Sequence, residues 1–464
     1  MRKCLLIIGL LMSGLVHFSF AATWTIDKVT DNTSHDDYPF ISAIQSGLLV
    51  VYVNHDPDYE IFVANNFSGS WTTSRVTDNS HNDIGYDIAA KYGEQTAHIA
   101  HMWQDVPDNE ISYTKGSPAS WSTERITDDA NDDERPVIAL DNSGFVHVVY
   151  SKNIGGDQEI FYANNVSGSW ISEQVTDNGS DDEFPWMALD KSGNPRIVYR
   201  NGSQLHYTYK TAGIWTAPVM VAGSMGANSY PFVVLDKNDK AHVAFAKSDG
   251  SFNQIYYAND VTGTWQESKV TSTSYNNLYP TIFIDPSSKA HIAYMAAEPG
   301  DAEMFYATNA SGIWSIGRVT DNSFNDAVIF GRYFTCDAQG IGHMVFINNS
   351  DGDSEVYHAQ SNEPLYAGIE ENSSSSPLLI TVSSILSASS TITYSVPTAG
   401  IVSLKVYDAS GALVKNLVNG MYSAGQYNVS WNGITDAGSK ATSGVYFCRL
   451  ETAQGAVSAK TIVK

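Results

Sequence analysis

The sequence predicts an all-β chain: a seven-bladed β-propeller closed by its own N-terminal strand, followed by a small β-sandwich. Three observations predict it. Seven tryptophans recur at intervals of 45 to 50 residues (Trp24, Trp71, Trp121, Trp170, Trp215, Trp265 and Trp314). Each interval divides into four short β-prone runs separated by Gly, Asn, Asp and Ser, which are strand and hairpin signals. No useful length of chain carries helical periodicity.

The chain opens with Arg2 and Lys3, an apolar run from Leu5 to Val16, and Ser19-Phe20-Ala21-Ala22. A basic head, a short apolar stretch and small residues at a cut site read as a secretory signal peptide, residues 1–21, cleaved after Ala21 or Ala22. No later segment is apolar enough to span a bilayer. The expected location is therefore secreted or the outer cell surface. Cys336 and Cys448 lie in separate predicted domains, so no disulfide framework is expected.

Residues 22–361 form the expected propeller. Five residues after most of the tryptophans stands an apolar residue followed by Thr, as in Val76-Thr77, Val175-Thr176 and Val319-Thr320; the fifth copy departs with Met220-Val221. In the third copy the strands are Pro136 to Leu140, Val146 to Tyr150, Glu159 to Ala163, and the run after Trp170. Four strands in about 48 residues, repeated seven times, is propeller arithmetic. The seventh copy has three strands, ending near Ala359, while Thr23 to Thr30 precedes the first complete copy. That first strand is expected to complete the last blade and leave no exposed edge. Residues 362–377, with Glu370-Glu371 and Ser373 to Ser376, read as a solvated linker.

From 378 to 464 the alternation of Ile392 to Val396, Val402 to Tyr407, Tyr427 to Trp431 and Val445 to Leu450 predicts an antiparallel sandwich. Ile392-Thr393-Tyr394-Ser395-Val396-Pro397, Val406-Tyr407-Asp408, Gly425-Gln426-Tyr427, Trp431-Asn432-Gly433 and Ser443-Gly444-Val445-Tyr446-Phe447 follow in order. This series resembles the Ig-like C-terminal sorting domain of type IX secretion substrates and the Ig-like domain of flagellar hook-capping proteins. The resemblance implies export machinery as a partner; a plain stalk is the alternative.

The net charge of −24 argues against nucleic acid or an anionic membrane as partner. Loops entering the first strands are acidic, and Asp36, Asp37, Asp132, Asp133, Asp181 and Asp182 are the metal candidates, with calcium as the ion. They lack ordered calcium-loop spacing, and a solvated acidic rim is the plainer account. His98, His147, His242, His291 and His343 recur in the second strand, with Arg196 and Val50 in the other copies. Equivalent residues of different blades stand too far apart to share an ion, so these histidines read as hydrogen-bonding residues. The same holds for Glu60, Glu110, Glu159, Gln204, Gln254, Glu303 and Glu355, where Gln keeps the bond and loses the charge.

Aromatic residues beside the first-strand prolines (Tyr38, Phe184, Tyr230 and Tyr279), with Trp186, Arg135 and Arg332, are the ligand-binding candidates. Aromatic faces at a channel mouth stack on sugars; packing between blades is the competing account. Turns such as Asn66-Phe67-Ser68-Gly69-Ser70 and Asn165-Val166-Ser167-Gly168-Ser169 before the tryptophans resemble a diverged Asp-box of sialidase-like propellers, with Gly two residues before Trp instead of three. A sialidase implies three convergent arginines, and no third joins Arg135 and Arg332. The expectation is a binding module for a glycan or protein, without evident catalytic residues. A sialidase-like glycan-active hydrolase and a structural adhesion component are the alternatives.

Overall fold

A computed structural model describes residues 22–366 and 379–463, apart from 56, 92–93, 105–107, 227–228, 351, 383–384, 387–389, 397–399, 423–424 and 453–454. The signal peptide and most of the expected linker lie outside these residues. The chain divides into two compact units, 1–368 and 369–464. No described helix is long and apolar enough to cross a membrane.

Seven antiparallel sheets make up the described part of the first unit. Sheet one comprises Asp36–Ile44, Gly47–His55, Tyr59–Asn65 and Thr72–Arg75. Sheets two to six repeat this plan from first strands Asn82–Ala90, Asp133–Leu140, Asp182–Leu189, Phe232–Leu235 and Asn276–Ile284. In sheet four the outermost strand is broken into Ile214–Trp215 and Val219–Gly223, at the copy whose Met220-Val221 departs from the repeat. Sheet seven has a split first strand (Asp326–Ala327 and Phe334–Cys336), then Gly342–Asn348 and Glu355–Ser361. Its fourth strand is Trp24–Lys28, paired antiparallel with Glu355–Ser361 from Trp24↔Ser361 to Lys28↔Tyr357. First strands of successive sheets touch, and Phe334–Cys336 touches Asp36–Ile44.

The repeated residues explain why each sheet packs on the next. Every full copy buries a two-stranded apolar centre, such as Val148, Val149, Ile160 and Ala163 in sheet three. The tryptophan of one sheet meets the third-strand aromatic residue of the preceding sheet edge-on: Trp170 on Tyr113, Trp215 on Tyr162, Trp265 on Tyr207 and Trp314 on Tyr257, at 5.1–5.6 Å between centroids. That tyrosine's hydroxyl bonds the Nδ1 of the histidine beside it, at 2.5–2.6 Å for His98, His147, His242 and His291. In sheet four, Arg196 holds Tyr207 instead, at 3.2 Å. Strand register corrects one sequence alignment: the residue of sheet one facing this position is Leu49, not Val50, and its partner is Val63 in place of tyrosine. Histidine and tyrosine are thus lost together.

The turns before the tryptophans are closed by side-chain to backbone hydrogen bonds. Asn66, Asn165, Asp260 and Asn309 each accept the backbone N–H that opens the second strand, at 2.7–2.8 Å. The following Gly69, Gly168, Gly263 and Gly312 take φ of 84–91°, a region that favours glycine.

The structured end of the first unit runs past the expected boundary at 361. Leu365 N–H bonds Gly340 O at 2.8 Å, and Leu365 and Tyr366 pack on the core around Phe334 and Met344. Two apolar side chains held this way are not a solvated linker.

The second unit is a two-sheet structure: Leu379–Val382, Ser390–Val396 and Gly425–Trp431 in one sheet, and Ile385–Leu386, Gly455–Val463, Gly444–Thr452, Gly400–Asp408 and Leu413–Tyr422 in the other. Its core joins Ile392, Tyr394 and Trp431 to Leu404, Val406, Tyr446 and Leu450. Cys336 and Cys448 are both buried and free.

Candidate functional site

A repeated latch sits where each sheet passes to the next. The Thr after the Trp strand accepts the backbone N–H of the preceding strand, as in Ile61→Thr77, Ile160→Thr176 and Met304→Thr320 at 2.8–2.9 Å. The third-strand glutamate accepts the N–H two residues beyond that threonine: Glu60 from Asn79, Glu159 from Asn178, Glu355 from Asn32. Gln254 takes the same role toward Thr273. These acids are structural in all their copies described here.

The six metal candidates fall into this same network. Asp36 and Asp182 are fully buried, each held by two amide side chains: Asn32 and Asn54, and Asn178 and Asn201, at 2.6–2.7 Å. Asp133 faces Lys152 at 3.3 Å. Asp132 and Asp181 accept backbone N–H groups of the preceding sheet at 3.0 Å, a place filled by Asn276 and Asn325 elsewhere. Asp37 pairs with His55 at 3.3 Å. The six stand in three sheets, and among the described residues no group of three acid, His or Cys side chains converges to hold an ion. Burial raises the carboxyl of Asp36 to about 6 and that of Asp133 to about 7.

The ligand candidates are brought together more closely. The first strands of sheets one, two, three, four and six each carry a bulge near their start, between Asp37/Phe40, Gly85/Asp87, Glu134/Val137, Glu183/Trp186 and Leu278/Thr281. In four of them the residue before the proline or at its equivalent has positive φ: Tyr38 (54°), Arg135 (56°), Phe184 (53°) and Tyr279 (54°). Bulky residues rarely occupy this region, and a following proline restricts them further. Such strain collects at binding sites when the surrounding structure holds it.

The bulges of sheets three and four place Arg135 and Phe184 in one aromatic crevice, lined also by Trp186, Tyr230, Phe232 and Phe330 among others. Phe184 meets Tyr230 edge-on at 4.5 Å, Tyr230 lies 5.5 Å from Tyr279, and it stacks on Phe330 at 5.2 Å and 16°. Trp186 stacks on Phe232 at 4.0 Å. The guanidinium groups of Arg135 and Arg200 lie over Phe184 at 4.5 and 4.6 Å, paired with Glu134 and Glu183 respectively. Burial raises the hydroxyl pKa of Tyr230 and of Tyr279, so both stay protonated donors at neutral pH. The crevice is narrow, with room for about one water molecule.

Two candidates lie elsewhere. Tyr38 packs against the core shared by sheets one and two. Arg332 lines a different cavity, nearer the ends of the first strands, while its guanidinium still lies 5.6 and 5.9 Å from the Trp186 and Phe232 rings of the crevice. The sequence pattern missed Phe330, because sheet seven has Phe330-Gly331 where other copies have an aromatic residue and proline. Gly331 has φ 105°, and a β-carbon there would lie 2.1 Å from the Phe40 ring. Arg200, at the end of a second strand, carried no repeated signal.

Comparison with curated proteins finds no match. Among solved structures the chain is similar to a polysaccharide lyase of family PL25, an ulvan lyase bound to its saccharide (12% identity, 72% of this chain, 96% of that chain, TM-score 0.49). It is also similar to the Aleuria aurantia lectin (15% identity, 63% and 97%, TM-score 0.41). A third similarity is to PorZ, a surface component of the type-IX secretion system of Porphyromonas gingivalis (10% identity, 91% and 75%, TM-score 0.32). Within the C-terminal unit, residues 383–456 match the FlgD Ig-like domain, and the chain ends in a domain of that kind.

Proposed function

We propose that the protein is an exported binding module, a closed seven-bladed propeller that holds a glycan on the partly exposed aromatic residues at the mouth of the crevice. Seven sheets, the pairing of Trp24–Lys28 with Glu355–Ser361, and the contact of Phe334–Cys336 with Asp36–Ile44 support the closed ring. The observation that carries the binding reading is the ring cluster Phe184–Tyr230–Phe330 with Arg135 over Phe184, in which Phe184 and Arg135 stand on strained bulges. Aromatic faces receive the apolar faces of sugar rings, and the arginines and tyrosine hydroxyls supply fixed donors to sugar oxygens. The residues lining the crevice include no carboxyl group, so the arrangement offers recognition without an acid–base pair. Glycan-array binding of the purified chain tests this: specific retention of one glycan class, lost in Tyr230→Ala, is expected. Absence of retention on every glycan, or retention unchanged in Tyr230→Ala, sinks it.

The C-terminal domain, in this proposal, is the address by which the chain is exported through a type IX machine. Its ordered motifs and its match to the FlgD Ig-like domain support that. Deleting residues 369–464 is expected to trap the chain inside the outer membrane; normal appearance of the truncated chain at the surface counts against it.

A further inference from the structure

We propose that the cavity lined by Arg332 is a second binding site, for a small organic anion with an apolar body. The cavity opens separately from the aromatic crevice, although Arg332 also lies over the Trp186 and Phe232 rings that line the crevice, and it offers a volume of about 350 Å³, within the range of small-molecule sites. Its wall comes from the far parts of the first strands. Leu140, Leu189 and Leu235 line it together with the small Ala139 and Ala188. The lining includes no aromatic ring, so a sugar has no stacking face here.

The cavity's one charged lining residue is a cation. Arg332 is held from its other side: Nε and Nη2 bond the carboxylate of Asp87 at 3.2 and 3.3 Å. Its Nη1 has no protein partner among the described residues. Asp87 is fully buried and also accepts Ile138 N–H at 3.1 Å, so its charge is spread over several donors. The guanidinium is therefore fixed in place with one nitrogen left to bond a carboxylate or sulfonate. Hydroxyls of Ser42 and Thr335 add polar contacts. The exposed lining is more polar than apolar, so an anionic head at Arg332 is the main attachment and the leucines receive only a small apolar body. The site stands apart from the glycan reading and survives its failure.

The test uses the purified chain with anilinonaphthalene sulfonate as fluorescent probe. One saturable site is expected, from which hexanoate displaces the probe and hexanamide, its neutral counterpart, does not. Ala139→Phe and Ala188→Phe, which fill the cavity without touching the ion pair, are each expected to weaken binding at least tenfold. Tyr230→Ala in the crevice is expected to leave it unchanged. Equal displacement by hexanamide, unaltered affinity in the folded filled variants, or loss of the probe in Tyr230→Ala overturns the proposal.

Discussion

The guanidinium of Arg332 and the carboxylate of Asp87, 245 residues apart in sequence, form a two-point ion pair that ties sheet seven to sheet two. Asp87 is fully buried and Arg332 about a quarter exposed, and Arg332 also lies over the rings of Trp186 and Phe232, at 5.6 and 5.9 Å. Burial alone pushes the Asp87 carboxyl up, and Arg332 is the first cause opposing it. Breaking one side of a buried pair leaves a charge without compensation, which costs about 3 kcal/mol. Arg332→Met is expected to destabilise the first unit by roughly that amount, and Asp87→Leu combined with Arg332→Met by much less. Denaturant unfolding of Arg332→Met, Asp87→Leu and the double variant checks this; additive losses would show that the two residues act separately.

In the aromatic crevice, Phe184 bears two guanidinium groups and an edge contact from Tyr230. Each such contact is worth about 0.5–1.5 kcal/mol. Phe184→Ala is expected to weaken glycan binding by about tenfold or more, since a tenfold change corresponds to about 1.4 kcal/mol. Tyr230→Phe keeps the stacking face and loses the donor, so it is expected to fall between wild type and Tyr230→Ala. Titration by calorimetry orders the three.

Buried carboxyls near the latches set a pH dependence. Asp326 is fully buried, with Asn322 and Asn348 donating to it at 2.5 and 2.6 Å, and burial lifts its pKa from 3.8 to about 6. The folded chain thus binds this proton more tightly than the unfolded chain. Its contribution is whole below pH 3.8 and is lost as pH rises through about 6. Sheet six carries Asn277 at the same register position, so Asp326→Asn is expected to fold. Its unfolding free energy is expected to fall less than wild type's between pH 4 and pH 7. Parallel curves for the two proteins would refute the assignment.

Buried histidines act in the opposite direction. Burial lowers His98 from 6.5 to about 4, so its contribution is whole above pH 6.5 and lost as pH falls through about 4. His98→Leu, with Tyr113→Phe to remove the stranded partner, is expected to reduce acid sensitivity between pH 6.5 and 4. Circular dichroism along an acid titration reads this; an unmoved acid midpoint argues against it.

Much of this was legible because a repeat states its rules several times. The Trp interval marked the sheets, and Gln254 in the glutamate column makes the same bond without a charge, whereas Gln204 is exposed and bonds His206 instead. The aromatic residues before prolines were visible for the same reason. Phe330 was not, since Gly331 stands where the pattern has proline. Arg332 was grouped with Arg135 because sequence spacing cannot tell which of two cavities a long side chain enters. The acidic loops suggested a metal because Asp36, Asp133 and Asp182 are conspicuous as types, whereas Asn54, Lys152 and Asn201, which also occupy them, come from the second strands; Asn32 and Asn178 stand only four residues upstream. The displacement of Val50 for Leu49 is a one-residue slip that only pairing register resolves.

That slip leads to the sharpest test of the repeated rungs. His147 and Tyr162 are buried and bonded through Nδ1 and the hydroxyl, while the equivalent Leu49 and Val63 of sheet one bury no polar group at all. If the bond contributes mainly by satisfying its own two partners, each single variant leaves one buried group stranded, at a cost of about 1–3 kcal/mol. Removing both partners leaves nothing stranded and is nearly neutral. His147→Leu and Tyr162→Phe are each expected to destabilise by that amount. The double variant is expected to lose no more than either single one, with Trp215 still packed on the ring 5.6 Å away. A double-mutant cycle by denaturant unfolding measures the coupling. Losses that simply add would mean that the rung is held by ring packing, with the hydrogen bond contributing nothing of its own.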